Sequence, residues 1–214
     1  MEKRIEKKFV YKNGDETFKL FILDTFLKKT FPSRVVNTIY FDTNSFHDIW
    51  DNINGFSNRK KIRVRWYDQL DNSDVFIEEK KKINFLTQKK VDKIGNFKDF
   101  NELKKFLLSE KFLNHEFIVK HKRNIKQTIR NQYTRDYFEI SNKKLRVTID
   151  KNLKIFNDDF NFLNLDDVIL ELKYSVDNST YVNDLIYKYN FNNRNKKYSK
   201  YVNSFLIFNE SGFF

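Results

Sequence analysis

The chain has no cysteine, a single proline, only three histidines and no run of about 18 apolar residues. Without cysteine there is no disulfide framework, no thiolate zinc site and no cysteine nucleophile, a pattern that suits a reducing compartment. His47, His115 and His121 stand in no metal-ligand or triad spacing and are expected on the surface or in loops. The opening residues Met1-Glu2-Lys3-Arg4-Ile5-Glu6 hold no apolar segment of the signal-peptide kind. With no membrane span of its own, the expectation is a soluble cytoplasmic protein.

What the sequence has in excess is positive charge. There are 41 Lys+Arg against 29 Asp+Glu, a net charge of +12. Such a balance draws polyanions, whether nucleic acid, anionic lipid or a phosphorylated small molecule, without choosing among them. Heavy use of Asn, Lys, Phe and Ile marks a compositional habit that accounts for part of the charge. A length of 214 residues can bury a sizeable core and favours one domain over residues 1–214.

Strand-like alternation recurs along the chain. In Arg4-Ile5-Glu6-Lys7-Lys8-Phe9, period two sends Arg4, Glu6 and Lys8 to one face. Asn13-Gly14 is a turn, and Asp15 is placed to cap a helix with Phe18, Phe21, Ile22, Thr25 and Phe26 as its apolar stripe, broken by Phe31-Pro32-Ser33. Val35 to Asp42 is a β-rich run, and His47 to Gly55 a short helix and turn. Lys61-Ile62-Arg63-Val64-Arg65-Trp66-Tyr67 puts Arg63 and Arg65 on one face, and Val75-Phe76-Ile77-Glu78-Glu79-Lys80 does the same with Glu78 and Lys80. Gly95 to Leu113 reads as loop and helix. Tyr133 to Tyr137, Leu145 to Asp150 and Val168 to Tyr174 are further strands, and Tyr181 to Tyr189 is a helix. About seven or eight strands thus pair a charged face with an apolar face that helices can cover. On a flat sheet that charged face is solvated surface; on a closed sheet it lines an interior.

The segments Arg4 to Phe9, Thr38 to Thr43, Lys61 to Tyr67, Val75 to Lys80, Tyr133 to Arg135, Leu145 to Asp150, Ile169 to Lys173 and Tyr198 to Tyr201 together resemble, in order and over nearly the whole chain, the VTC-type polyphosphate polymerase domain. That domain is a branch of the triphosphate tunnel metalloenzymes, to which the CYTH phosphatases also belong. The resemblance implies an α+β fold: an eight-stranded antiparallel β-barrel with helices packed outside and a basic lumen that binds a triphosphate and a divalent metal, Mn²⁺ or Mg²⁺. It implies phosphate contacts from Lys8, Arg63, Arg65, Lys80, Arg135, Arg146 and Lys200, with Lys197 and Ser199 near the end of the tunnel. Tyr133 stands in the Arg135 segment beside the substrate, its ring expected to pack rather than stack on a base, as for Trp66. Glu171 is the leading metal ligand that the resemblance implies, followed by Glu6, Glu78 and Asp150, which would coordinate directly or through water or orient the basic groups. The proline that many relatives carry before Tyr133 is missing, which leaves the register of Lys120 to Arg130 open.

The residue types suit phosphoryl transfer independently. Guanidinium groups contact phosphate in pairs, and the protein's work is chiefly positioning and charge stabilisation. A polymerase needs no strong general base, because an ionised phosphate end is the nucleophile. Three functions stay open: transfer of the γ-phosphate of ATP to a growing polyphosphate chain, hydrolysis of triphosphates by the same site, and non-catalytic binding of polyphosphate or nucleic acid. Acidic residues among the basic rows favour the enzymes, and resemblance to the VTC branch favours the polymerase, with ATP and inorganic polyphosphate as partners and nucleic acid disfavoured. The SPX and membrane segments that accompany the fungal complex are not in this sequence, so sensing and translocation would reside in a membrane-protein partner in trans, or not exist.

Overall fold

The structure, a computed structural model, describes residues 4–25, 27–84, 86–120, 124–140, 145–156, 162–191 and 198–210. The elements in chain order are β1 (Arg4–Lys12), α1 (Glu16–Asp24), β2 (Lys28–Asp42), α2 (His47–Ile53), β3 (Asn58–Tyr67), β4 (Val75–Ile83), β5 (Leu86–Gly95), α3 (Phe100–Leu107), α4 (Glu110–Leu113), α5 (Glu116–Val119), β6 (Lys126–Ile140), β7 (Leu145–Phe156), β8 (Phe162–Leu165), β9 (Asp167–Ser175), α6 (Ser179–Lys188) and α7 (Lys200–Glu210). The chain divides into two compact units. One comprises Met1–Val35, Tyr133–Lys154 and Leu163–Ser199; the other comprises Val36–Gln132, Ile155–Phe162 and Lys200–Phe214. The long strands β2 and β6 contribute residues to both.

In the first unit the strand order is β1-β9-β7-β6-β2, with β8 beside β7. The register is antiparallel and unbroken: Lys8 lies opposite Glu171 and Glu171 opposite Thr148, while Glu6 lies opposite Lys173 and Lys173 opposite Arg146. Alternation then sends Phe9, Tyr11, Leu170, Leu172, Tyr174, Leu145, Val147 and Ile149 to the other face. There they meet Phe21 of α1, Val182, Leu185 and Ile186 of α6, and Phe191. Phe191 touches Phe9 at 4.9 Å and Phe21 at 5.2 Å between ring centroids, distances that suit aromatic pairing.

The helix α1 starts where the sequence places it, because Asp15 accepts from the amides of Thr17 (2.9 Å) and Phe18 (3.3 Å). Its end differs from expectation. Thr25 already has extended backbone, and its Oγ1 donates to the Phe21 carbonyl at 2.5 Å, so the helix stops well before Pro32. Pro32 sits inside β2, in the exposed half of that strand, where a missing amide is tolerated.

In the second unit the order is β6-β2-β3-β4-β5. Ile39, Phe41, Ile62, Val64, Trp66, Val75 and Ile77 form the apolar face. It is covered by Leu103 and Leu107 of α3, Phe112 of α4, and Phe117 and Ile118 of α5. The opposite face carries Thr38, Tyr40, Arg63, Arg65, Glu78 and Lys80, set by the antiparallel registers Tyr40 to Arg63 and Arg63 to Glu78. Two elements here go beyond the sequence reading. β5 is polar on both faces and gives no hydrophobic alternation; α7 buries Tyr201, Phe205 and Phe208, a helical repeat beyond the last motif identified above.

The architecture is therefore α+β, with a large antiparallel sheet covered by helices. β1 and β5 are the terminal strands of the order, so the pairing is that of an open sheet and does not itself close a barrel. No described helix is long and apolar enough to cross a membrane.

Candidate functional site

The charged face of the first unit is a mixed cluster. Arg135, on β6, grips Asp150 with two parallel bonds, Nε to Oδ1 at 2.5 Å and Nη2 to Oδ2 at 2.7 Å, and its Nη2 lies 3.6 Å from Glu171 Oε2. Lys173 Nζ is 3.2 Å from Glu171 Oε1, and Lys8 Nζ is 3.3 Å from Glu6 Oε1. Thr148 donates to Glu171 at 3.4 Å. Asp150 and Glu171 are almost fully buried, so their charges need these partners. Burial pushes Glu171 up, but Lys8, a hydrogen bond with Glu6, Lys173 and Arg135 together hold it well below the ordinary carboxylate range. Burial likewise pulls Lys8 down, and the carboxylates of Glu171 and Glu6, with Asp150, hold it above the ordinary lysine value. Tyr133 is buried with its ring centroid 5.4 Å from the Arg135 guanidinium, a cation–π contact. Arg146 shares the face by register and is exposed.

The charged face of the second unit is dominated by cations. Glu78 is 3% exposed and accepts from Arg63 Nε and Nη2, both at 2.6 Å. Arg65 Nη1 stands 3.8 Å away, and Lys89 Nζ reaches the other oxygen at 2.6 Å. Burial raises the Glu78 carboxyl, yet Arg63, Arg65 and Lys89 bring it down to about 2. Lys89 shows the cost of sharing: burial and the two guanidiniums push it below the ordinary lysine value despite its bond to Glu78. Three cations on one carboxylate leave positive charge for an anion. Arg63 and Arg65 do not point to bulk solvent, with side-chain exposures of 17% and 6%. Arg65 also donates to Thr38 Oγ1 from Nε and Nη2 at 3.4 Å.

Lys80 lies one step further along β4, opposite Lys61 on β3 and Lys89 on β5. Lys200 opens α7 and is half-buried, as is Ser199 in the first unit. The start of α7 is fixed by Tyr201, which donates to Asp42 at 2.9 Å, pairs with Thr128 at 2.9 Å and stacks on Tyr40 at 4.5 Å. Lys197 and His121 fall outside the described residues. His47 faces Asp51, and His115 caps α5 through the Phe117 amide.

The structure brings Arg63, Arg65 and Glu78 together in one unit, with Lys80 on the same face, and Lys8, Glu6, Arg135, Asp150 and Glu171 together in the other, with Arg146 on the same face. Sequence reasoning, through the resemblance, assigns all of them to one lumen. It missed Lys89, Lys173, Thr38 and the Asp42–Tyr201 bond. Lys173 was legible, two places from Glu171 on a strand; Lys89 was not, because consecutive Lys89-Lys90 in a polar strand hides which one faces Glu78. Among the described residues, no group of three or more His, Cys, Asp or Glu side chains is arranged to hold a metal. The hydrogen-bonded pair Glu6 and Glu171 is a hard-oxygen donor set, and a small divalent cation is commonly held by one or two carboxylates plus substrate phosphates. Glu6 and Glu171 are the two carboxylates that would hold such an ion.

With this geometry in view, the sequence matches the VTC domain over residues 3–209. The chain belongs to the VTC domain family. No curated protein matches it. Among solved structures, this VTC-family chain is similar in fold to the PH1819 protein of Pyrococcus horikoshii OT3, at 11% identity and a TM-score of 0.55, covering 96% of this chain and 99% of that one. It is similar to a candidate adenylate cyclase of Bacillus halodurans, at 13% identity and a TM-score of 0.57, over 92% of this chain and 96% of that one. It is also similar to a Hippeastrum candidate adenylyl cyclase described as having a dominant triphosphatase activity, at 11% identity and a TM-score of 0.56, over 98% of this chain and 96% of that one. The chain shares the fold of these neighbours.

Proposed function

We propose that this VTC domain is a metal-dependent phosphotransferase that extends inorganic polyphosphate at the expense of ATP in the cytoplasm. The observation that carries the reading is the cation surplus around Glu78, where Arg63, Arg65 and Lys89 share one buried carboxylate. Such a site is built for an anion with several oxygens, and planar guanidiniums suit phosphate. The closed eight-stranded barrel and its basic tunnel belong to this proposal and are supported by family membership.

In the reaction, an ionised terminal oxygen of the chain attacks the γ-phosphorus of ATP. A new P–O–P bond forms, the bond from the γ-phosphorus to the bridging oxygen breaks, and ADP leaves with the electron pair. No proton has to be removed from the nucleophile, so the transfer asks for no general base. Arg63, Arg65, Lys80 and Lys89 hold phosphate oxygens and balance the charge that builds on them; Arg135, Lys8 and Arg146 do so in the first unit. Glu171 and Glu6 would hold Mn²⁺ or Mg²⁺, which supplies charge neutralisation at the phosphates when bound. The Arg135–Asp150 pair fixes the guanidinium in place before substrate arrives.

Hydrolysis is the second reading, favoured by the triphosphatase activity of the Hippeastrum neighbour. Incubation of the purified protein with ATP and Mn²⁺, resolving polyphosphate, ADP and free phosphate, separates the two. Polyphosphate with equimolar ADP is expected; free phosphate without chains would assign a hydrolase. Glu171→Gln is expected to lower metal-dependent turnover at least about a hundredfold in protein shown by circular dichroism to be folded, with a lowered melting temperature because Arg135 and Lys8 lose a buried counter-charge. Undiminished turnover would remove Glu171 from the site.

A further inference from the structure

At one end of the second unit, away from the Arg63–Glu78 cluster, four large apolar side chains are exposed. Trp50 and Ile53 are one turn apart on the outer side of α2, whose inner side buries Ile49 and Asn52; Phe56 follows in the turn after the helix, and Ile83 ends β4. Backbone bonds gather them. The Phe56 amide donates to the Asp51 carbonyl at 3.0 Å, folding the turn back on α2, and the Asn84 amide donates to the Ser57 carbonyl at 3.1 Å, tying the end of β4 to that turn. In the β3–β4 register Ile83 lies opposite Asn58, next but one to Phe56. An exposed apolar cluster of this kind marks a surface that meets a partner.

Cations flank it. Arg59 reaches back to the Phe56 carbonyl with Nη1 at 2.9 Å and lies opposite Lys82, and Lys60 lies opposite Lys81. Alternation puts Arg59 and Lys82 on one face of the strand pair and Lys60 and Lys81 on the other, so positive charge borders the apolar end on both sides. The acids here are already engaged. Lys81 Nζ stands 3.2 Å from buried Glu79, and His47 stands 3.6 Å from Asp51. Asp48, on the buried side of α2, lies in the field of Lys60 and Lys61.

The surface of an anionic membrane suits both parts. Aromatic rings gather at the boundary between headgroups and acyl chains, long cationic side chains meet the headgroup phosphates, and their stems can lie along apolar surface. A nucleic acid would use the cations and leave Ile53 and Ile83 in water. A stable protein interface engages roughly 20–30 residues a side, far more than this cluster offers.

We propose that the α2 turn and the end of the β3–β4 pair dock peripherally on anionic lipid. Trp50, Ile53, Phe56 and Ile83 enter the interface, and the flanking cations hold headgroup phosphates. The docking is independent of which phosphoryl reaction the domain performs.

Trp50 reports on this surface directly, because it is 49% exposed whereas Trp66, the other tryptophan, is 3% exposed. The test sediments the full-length protein with vesicles of equal parts phosphatidylcholine and phosphatidylglycerol, and with vesicles of phosphatidylcholine alone, while tryptophan emission is recorded. Binding to the anionic vesicles is expected at least about tenfold tighter than to the neutral ones, with emission moving to shorter wavelength. Trp50→Phe is expected to bind within about threefold of the parent and to lose the shift. Trp50→Gln/Phe56→Gln, folded by circular dichroism, is expected to bind at least about tenfold more weakly. Lys60→Gln/Lys81→Gln keeps every apolar side chain and is expected to lose about tenfold for the anionic vesicles, with a smaller dependence on salt; it decides the matter if the first variant does not fold. Tripolyphosphate, added to fill the Arg63–Glu78 cluster, is expected to leave vesicle binding within about threefold.

Equal binding to both kinds of vesicle, binding to neither, an unshifted emission, or undiminished binding in either folded variant overturns the docking surface. Abolition by tripolyphosphate also overturns it and assigns the lipid phosphates to the Arg63–Glu78 cluster. An emission shift that follows protein concentration without vesicles would make the surface a contact between two copies of the chain, and an equal shift with a single-stranded oligonucleotide would make it a nucleic-acid site. Release of free phosphate from ATP without chains would overturn the polymerase and leave the docking standing.

Discussion

Asp48 and Asp42 are both fully buried on the same unit and have opposite fates. Asp42 accepts from the amides of Thr43 (2.7 Å), Asp48 (3.0 Å) and Ile49 (3.1 Å) and from Tyr201, which satisfies both its oxygens. Both Asp48 oxygens, in contrast, lack a hydrogen-bond partner. Burial, then the charge of Asp42, pushes the Asp48 carboxyl up to about 7, against the pull of Lys60 and Lys61. The folded protein therefore keeps a proton that the unfolded chain, with its ordinary value of 3.8, has lost. Its contribution to stability is complete below the unfolded value and is lost as pH rises through about 7. Asp48→Asn cannot ionise, so its stability relative to the parent is expected to grow on the order of 3 kcal/mol between pH 4 and pH 8. Urea midpoints at the two pH values check this; a constant difference would mean that Asp48 is ionised throughout.

At the scale of elements, α2 and α7 show how a strand end organises two helices. The residue before α2 is Phe46, in left-handed backbone with no polar side chain, so α2 has no cap of its own. Asp42, at the end of β2, bonds two of its first amides instead, and its remaining acceptor capacity holds Tyr201 at the start of α7. Lys200 is adjacent, so this bond positions a candidate phosphate ligand. Tyr201→Phe keeps the stack on Tyr40 and removes the bond to a buried carboxylate, an expected loss of about 1–3 kcal/mol in urea denaturation. If Tyr201 also positions Lys200, KM for ATP is expected to rise in the folded variant; unchanged stability would remove the bond from consideration. None of this was legible in the sequence, because Asp42 and Tyr201 are far apart in the chain and neither belongs to a periodic pattern that points to the other. The strand bearing Arg63 was legible, since polar and apolar residues alternate strictly from Lys61 to Trp66, and the Glu78 strand was legible from its β-rich start Val75-Phe76-Ile77. β5 was not, since a strand polar on both faces carries no such alternation.

At the scale of the whole molecule, the net charge of +12 makes folding work against its own repulsion. Multivalent anions that bind the folded state relieve it and stabilise by mass action. Tripolyphosphate is expected to raise the melting temperature by several degrees in low salt, and the increment is expected to shrink as salt rises, measured by thermal unfolding at fixed protein concentration. An increment insensitive to salt would speak against an electrostatic site.

The sequence by itself determined that the strands of Arg4–Phe9, Lys61–Tyr67 and Leu145–Asp150 carry cations, which face of each they occupy, and the family, because period-two alternation and ordered motifs are local properties of the chain. Tertiary structure decided which cation meets which carboxylate. That Lys89 rather than Lys90 joins Arg63 on Glu78, and that Glu6 bonds Glu171, depends on strand register, and register is fixed by pairing between distant segments. A shift of one residue would send each of these side chains to the opposite face.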